Sequence, residues 1–200
     1  MHNEIKELDA VLDQAYNLYM PQERLEIKML AEFVRNLKPE ITVEIGTKFG
    51  GTFMIWCEVC PGYKISVDLV EGIHGGVDRL ETEKRNKMFL EKYPNQCSFI
   101  EGDSHDQSTY GKLLSVLNGR SIDFLFIDGD HTYEGVKQDY QMYSPLVKSG
   151  GYIAFHDIND TERHRNRNVY VGKLWSELQG EKTEFNVNSD WAGIGIIKKK

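Results

Sequence analysis

The apolar positions of this chain fall first at helical spacing and then in short dense runs. Ile5, Leu8, Leu12, Ala15 and Tyr19 recur every three or four residues, and after Pro21 so do Leu25, Met29, Leu30, Phe33 and Leu37. That period predicts two amphipathic helices, the second with Pro21 in its first turn and Pro39 closing it. From Ile41 the pattern changes. ITVEIG, YKISVDL, QCSFIEGD, IDFLFIDGD and GGYIAFHD read as five strands. Helical stretches follow them in turn: FMIWCEVC, residues 77–93, YGKLLSVLN, residues 133–143, and a last one near 169–178. Residues 184–188 and 192–198 close the chain as two further strands. Strands alternating with helices imply right-handed βαβ units and a parallel sheet covered on both faces, and the unbroken FLFI and YIAF runs suit strands buried on both sides. The expected fold is α/β and Rossmann-like, a single domain in which residues 1–38 supply the N-terminal helices and 39–200 the core.

An open parallel sheet binds ligands in the crevice at the carboxyl ends of its strands. Here those ends carry residues 44–51, Asp68, residues 102–104, residues 128–131, and His156 with Asp157. A sheet needs glycines and caps at that edge, but not an acid at nearly every strand end. The first of these loops, E-I-G-T-K-F-G-G, runs from strand to helix and departs from the dinucleotide fingerprint G-x-G-x-x-G, because Lys48 holds the place of the second glycine. A pyrophosphate cradle is therefore the weaker reading. Asp68 ends the second strand a little over twenty residues further on, where a carboxylate suits ribose hydroxyls; the plainer alternative is a loop or capping aspartate.

Net charge and composition narrow the class of partner. The chain carries 24 basic and 31 acidic residues, a formal charge of −7, which argues against a nucleic-acid substrate. No apolar run approaches a membrane span, and the acidic, amphipathic N-terminal segment reads as neither signal nor transit peptide, so the expected location is cytoplasmic. Three cysteines make no disulfide framework. Cys57 and Cys60 form a lone C-x-x-C without the second pair a zinc site needs, and core packing is the expected role.

Taken together, E-I-G-T-K-F-G-G, S-V-D-L, E-G-D-S, F-I-D-G-D-H-T-Y-E-G-V-K-Q-D and L-V-K-S-G-G-Y-I-A-F-H-D resemble class I S-adenosylmethionine-dependent methyltransferases, above all the small-molecule, sugar-type O-methyltransferase branch. The resemblance runs from about Ile41 to Asp157. It implies a seven-stranded sheet with the last strand antiparallel. It further implies that Glu44, Gly46, Thr47 and Gly50 surround the amino-acid end of the cofactor, that Asp68 holds its ribose, that Asp103 and Ser104 lie beside the adenine, and that Asp128 stands at the reactive end.

Methyl transfer to a hydroxyl needs an in-line oxygen and a way to lose its proton, through a base or a metal ion. His131 is the candidate base; its alternative is a loop histidine opening the next helix, where Asp130 and Thr132 are ordinary helix-start residues. Asp128 and Asp157 are placed to share a divalent ion with His156. Metal-dependent relatives use oxygen where His156 stands, and magnesium prefers oxygen, so a softer ion, a water-completed shell or no metal all stay open. The arginine-rich segment 161–168 is either a lid, suiting an anionic or polyhydroxyl substrate, or a solvated loop. His74 is a further candidate for the pocket rim. The two N-terminal helices either cover the pocket or form a dimer contact. The expected activity is O-methylation of a small hydroxylated molecule; the rivals are a nicotinamide-dependent oxidoreductase and a catalytically silent cofactor-binding protein.

Overall fold

A computed structural model describes residues 7–71 and 76–200; Ile5 and His74 lie outside them. The elements follow the order α1 Leu8–Tyr16, α2 Arg24–Leu37, β1 Ile41–Ile45, α3 Gly51–Val59, β2 Tyr63–Asp68, α4 Arg79–Lys92, β3 Cys97–Glu101, α5 Gln107–Leu117, β4 Ile122–Ile127, α6 Tyr133–Tyr143, β5 Val147–His156, α7 Glu162–Arg165, α8 Val171–Glu177, β6 Lys182–Phe185 and β7 Ile194–Lys198. The strands form one seven-stranded sheet in the order β3-β2-β1-β4-β5-β7-β6. The first five strands run parallel, and β7 is antiparallel to both neighbours.

Side-chain alternation sorts the core into two layers, one on each face of the sheet. Val43, Ile45, Ile65, Val67, Leu125 and Ile127 join α5, α6 and α8 on one side. On the other, α1, α2, α3 and Phe89 of α4 close over Phe124, Phe126, Ala154 and Ile196. Trp56 of α3 is completely enclosed there, edge-on to Phe124 and Phe126 at 5.3 and 5.6 Å. Cys57, Cys60 and Cys97 are all buried, as core residues. Among the described residues no helix is long and apolar enough to cross a membrane.

Several boundaries move from those the periodicity predicts, each for a local reason. Asp78 accepts the amide of Glu81 at 3.1 Å and so starts α4 two residues after Val77. Lys38 adopts a left-handed φ of 51° and ends α2 immediately before Pro39. Pro21 sits in the α1–α2 connection rather than in a first turn, because α2 starts at Arg24. The closing hairpin is shorter at its turn than expected. Val187 and Gly193 give their amides to the carboxylate of Glu26 in α2, at 2.9 and 3.2 Å, and the ladder ends where that carboxylate begins. Glu26 is wholly buried by this contact.

Strand order places the topological switch between β1 and β4, and the loops leaving these two strands touch. Gly46, at φ 87°, packs so closely that a Cβ would lie 2.2 Å from the carbonyl oxygen of Asp128. Gly46→Ala should therefore destabilise the fold by about 2–4 kcal/mol, combining left-handed strain with overpacking. Chemical denaturation checks this, and a variant as stable as the parent would show that the β4 loop yields freely.

Candidate active site

Two adjoining cavities open at the carboxyl edge of the sheet, about 440 and 320 Å³ in volume. Gly46, Lys48, Asp128, His131, Arg167 and Val169 line both and form the partition between them. The larger cavity runs from this partition past Asp68, over Asp103, Ser104 and His105. The smaller runs beneath the α1–α2 connection, past Thr47, Gln22, His156, Asp157, His164 and Trp191.

Most of the expected residues converge here. Thr47, Asp103 and Ser104 line the cavities with Gly46, Asp68 and Asp128. Glu44 and Gly50 line neither. Glu44 is wholly buried one layer below, accepting the Trp56 indole N–H at 2.5 Å, and burial pushes its pKa well above the usual carboxylate range. Gly50 caps α3 at φ 91° with its back to Phe89. Both shape the loop from behind its wall.

Asp68 takes on a second task. Its Oδ1 accepts the amides of Thr47 and Lys48 at 3.0 and 3.1 Å, and its Oδ2 accepts Arg85 at 2.6 Å. The carboxylate thus ties the glycine loop to β2 and α4. A carboxylate offers about four acceptor positions, so three bonds leave room for one more.

At the partition, two carboxylates meet three imidazoles. His131 Nδ1 lies 2.7 Å from Asp157 Oδ2, and its Nε2 is 3.9 Å from Asp128 Oδ1. His156 Nδ1 stands between the two acids, 3.2 Å from Asp128 and 3.4 Å from Asp157. His164 approaches Asp157 at 3.5 Å while its Nδ1–H is taken by the carbonyl of Asn159 at 2.6 Å. Asp157 holds a left-handed φ of 63°, uncommon for a residue with a side chain, and so aims its carboxylate back over the sheet edge. Burial disfavours charge on His131, yet its hydrogen bond to Asp157 and the nearby Asp128 outweigh that and raise its pKa. Burial likewise opposes charge on Asp157, and the surrounding imidazoles overcome it and lower its pKa strongly.

The ligating atoms of Asp128, His131 and Asp157 all lie within 4.8 Å of one another, the spacing of a metal site. The expected donor set named His156 where this cluster has His131. His156 is buried instead, its Nε2 without a hydrogen-bond partner.

Three site residues escape any reading of the linear chain. Gln22 reaches from the α1–α2 connection to donate to Asp128 at 3.0 Å and Thr52 at 3.2 Å, so that connection covers the smaller cavity. His164 comes from α7, where Thr161 caps the short helix by accepting its amide at 3.1 Å. His105 sits at the far end of the larger cavity with its Nε2 3.3 Å from Asp139, a wholly buried carboxylate.

The sheet order, the reversed β7 and the glycine loop at the β1–β4 switch define a class I methyltransferase fold. A protein-family model described as "Methyltransferase domain" matches residues 43–158, and the chain belongs to that family. An uncharacterized protein of Acanthamoeba polyphaga mimivirus is 32% identical over 152 residues, covering 72% of this chain and 64% of that protein. A rhamnosyl O-methyltransferase from Mycobacterium leprae is 24% identical over 131 residues, 64% of this chain and 52% of that one. The chain thus spans under two thirds of these relatives' length. Among solved structures, an O-methyltransferase from Bacillus cereus in complex with S-adenosylhomocysteine superposes with a TM-score of 0.64 at 14% identity, covering 100% of this chain and 92% of the other.

His105 gives the site a measurable electrostatic signature. Asp139 raises its pKa to about 9, against the opposing effect of burial. A folded pKa above the unfolded value of about 6.5 stabilises the protein fully below that pH, and the contribution is lost as pH rises through 9. With solvent screening of this partly exposed ring, the loss should amount to about 1 kcal/mol. Unfolding free energies measured between pH 6 and 10 should fall accordingly, and His105→Gln should remove that slope. An equal slope in the variant would assign it to other groups.

Proposed function

We propose that the chain is an S-adenosylmethionine-dependent O-methyltransferase acting on a small hydroxylated molecule. The larger cavity takes the cofactor, its adenine beside Asp103 and Ser104, a ribose hydroxyl on the remaining acceptor position of Asp68, and its reactive end at Asp128. The smaller cavity takes the acceptor. The observation that carries this reading is His131, held by Asp157 at the partition the two cavities share. The names of the Mycobacterium leprae and Bacillus cereus proteins support the same reading. The glycine loop's departure from G-x-G-x-x-G weighs against a nicotinamide dinucleotide.

When bound, the cofactor supplies an electrophilic methyl group on a positively charged sulfur. The chain's own residues do the rest. Asp157 accepts the Nδ1–H of neutral His131, which leaves the Nε2 lone pair free to take the acceptor's hydroxyl proton. Asp157 then stabilises the resulting imidazolium. Asp128, fixed by Gln22 and His156, places negative charge beside the sulfonium. The α1–α2 connection and Trp191 cover the smaller cavity and limit water at the hydroxyl.

A second reading rests on the clustered ligand atoms of Asp128, His131 and Asp157. Two carboxylates and an imidazole fit a divalent ion of mixed oxygen and nitrogen preference, such as manganese or zinc, better than magnesium. Such an ion would lower the proton affinity of the acceptor hydroxyl, and His131 would then be a ligand rather than a base.

Calorimetry should detect S-adenosylhomocysteine binding in wild type and, nearly unchanged, in His131→Ala, while turnover in that variant falls by roughly 10²–10⁴. Heat with a nicotinamide dinucleotide alone would instead support the oxidoreductase. Because the folded pKa of His131 is raised, the base form accumulates only as pH climbs above the ordinary imidazole value, so the rate should rise through an acid limb centred above 6.5. Asp157→Asn removes the charge that raises it and should shift the limb to lower pH.

The ion is tested by exhaustive chelation followed by manganese, zinc or magnesium in turn. The proton-transfer reading expects full turnover after chelation. Loss that manganese or zinc restores, with His131→Ala also losing measured metal binding, would replace it with the ion.

A further inference from the structure

Within the methyltransferase reading, we infer that the acceptor is an acid: a hydroxylated small molecule whose carboxylate is received by Lys48 and Arg167 at the partition between the cavities. The starting point is an anomaly of charge. The chain has a formal charge of −7, and many of its cations are paired: Arg24 with Asp9 and Asp13, Arg85 with Asp68, Arg165 with Asp160. Lys48 and Arg167 form no ion pair among the described residues, and both line both cavities.

Neither is carried on a free loop. Lys48 adopts a left-handed φ of 51°, its amide is held by Asp68, and its carbonyl accepts Arg85. The backbone at Arg167 is stitched on both sides. Its amide and that of Val169 donate to the His164 carbonyl, each at 2.9 Å, and Tyr170 donates to the His131 carbonyl at 2.8 Å. The fold therefore fixes the backbones of two cations that form no ion pair among the described residues, on the partition that His131 also lines. Asp128 and Asp157 are engaged instead by His131, His156 and Gln22.

The cofactor leaves this charge unbalanced. Its amino-acid end is a zwitterion and its positive sulfur is met by Asp128, so the cofactor brings no surplus anion for Lys48 and Arg167. An anionic acceptor would supply one, and an arginine and a lysine lining the same partition are suitable receivers for a carboxylate. The rim of the smaller cavity adds aromatic surface for the body of that molecule. Tyr19 and Phe49 meet edge to face at 5.5 Å, and Trp191 also lines it, with the guanidinium of Arg163 3.9 Å over its ring. These rings would pack against an aromatic ring or the apolar face of a sugar.

The test compares matched acid and neutral probes on protein saturated with S-adenosylhomocysteine: glucuronate against glucose, and dihydroxybenzoate against catechol. At least one acid should bind roughly tenfold more tightly than its neutral partner, and the difference should shrink as salt is raised. Arg167→Gln should erase the preference while S-adenosylhomocysteine affinity stays within about twofold and the thermal midpoint is unchanged. Acids that bind no better than their neutral partners overturn the inference. So does an Arg167→Gln or Lys48→Gln variant that weakens S-adenosylhomocysteine and leaves the acid preference alone, because the two cations would then serve the cofactor's own carboxylate. No binding of S-adenosylhomocysteine to wild type removes the methyltransferase reading, and this inference with it.

Discussion

Gly46 can lie against the carbonyl of Asp128 because it has no Cβ, and the rest of the site is arranged around that contact. β1 and β4 are neighbours with α-helices leaving on opposite faces, so their loops diverge above a crevice that neither can fill. The close approach sets the depth of that crevice at the partition. It also brings the Asp128 carboxylate within reach of His156 from β5 and Gln22 from the α1–α2 connection. A wider separation would leave Asp128 on a solvated loop and the two cavities merged.

The charge arrangement follows from the same crowding. Two carboxylates at one sheet edge would repel and draw protons, yet Asp157 is held strongly ionised because imidazoles surround it. Glu44, one layer down, is the opposite case. It has an indole donor but no cation, and burial keeps its proton affinity high. The same carboxylate chemistry on β1 and just after β5 therefore has two outcomes, decided by whether a positive partner reaches it. Asp68 shows a third, in which Arg85 and two amides bind the carboxylate into the loop's own architecture.

What the chain declares in one dimension is what depends on near neighbours. The doubly buried strands, their acidic ends and the capping role of Thr132 were all legible, since each rests on local period or spacing. Asp128, His156 and Asp157 were read as one group and His131 as a separate base; in the fold all four lie close together. Gln22 was not legible, because it meets Asp128 across 106 positions. His164 was read only as part of an arginine-rich stretch, since nothing in T-E-R-H-R-N-R-N marks the one side chain of that segment that turns inward and is buried. The burial of Glu44 was not legible for a related reason: alternation sends it to one face of β1, but only the position of Trp56 reveals that the face is sealed.

The clamp made by Glu26 has a consequence in time. A carboxylate enclosed in α2 receives its hydrogen bonds from Val187 and Gly193, 161 and 167 positions later. During synthesis the helix emerges well before those amides exist, and until they arrive its charge must stay hydrated. The face of α2 that carries Glu26 therefore cannot close over the sheet early, and the N-terminal layer must dock loosely and re-dock once the final hairpin is made. Contacts of such long range are slow to form.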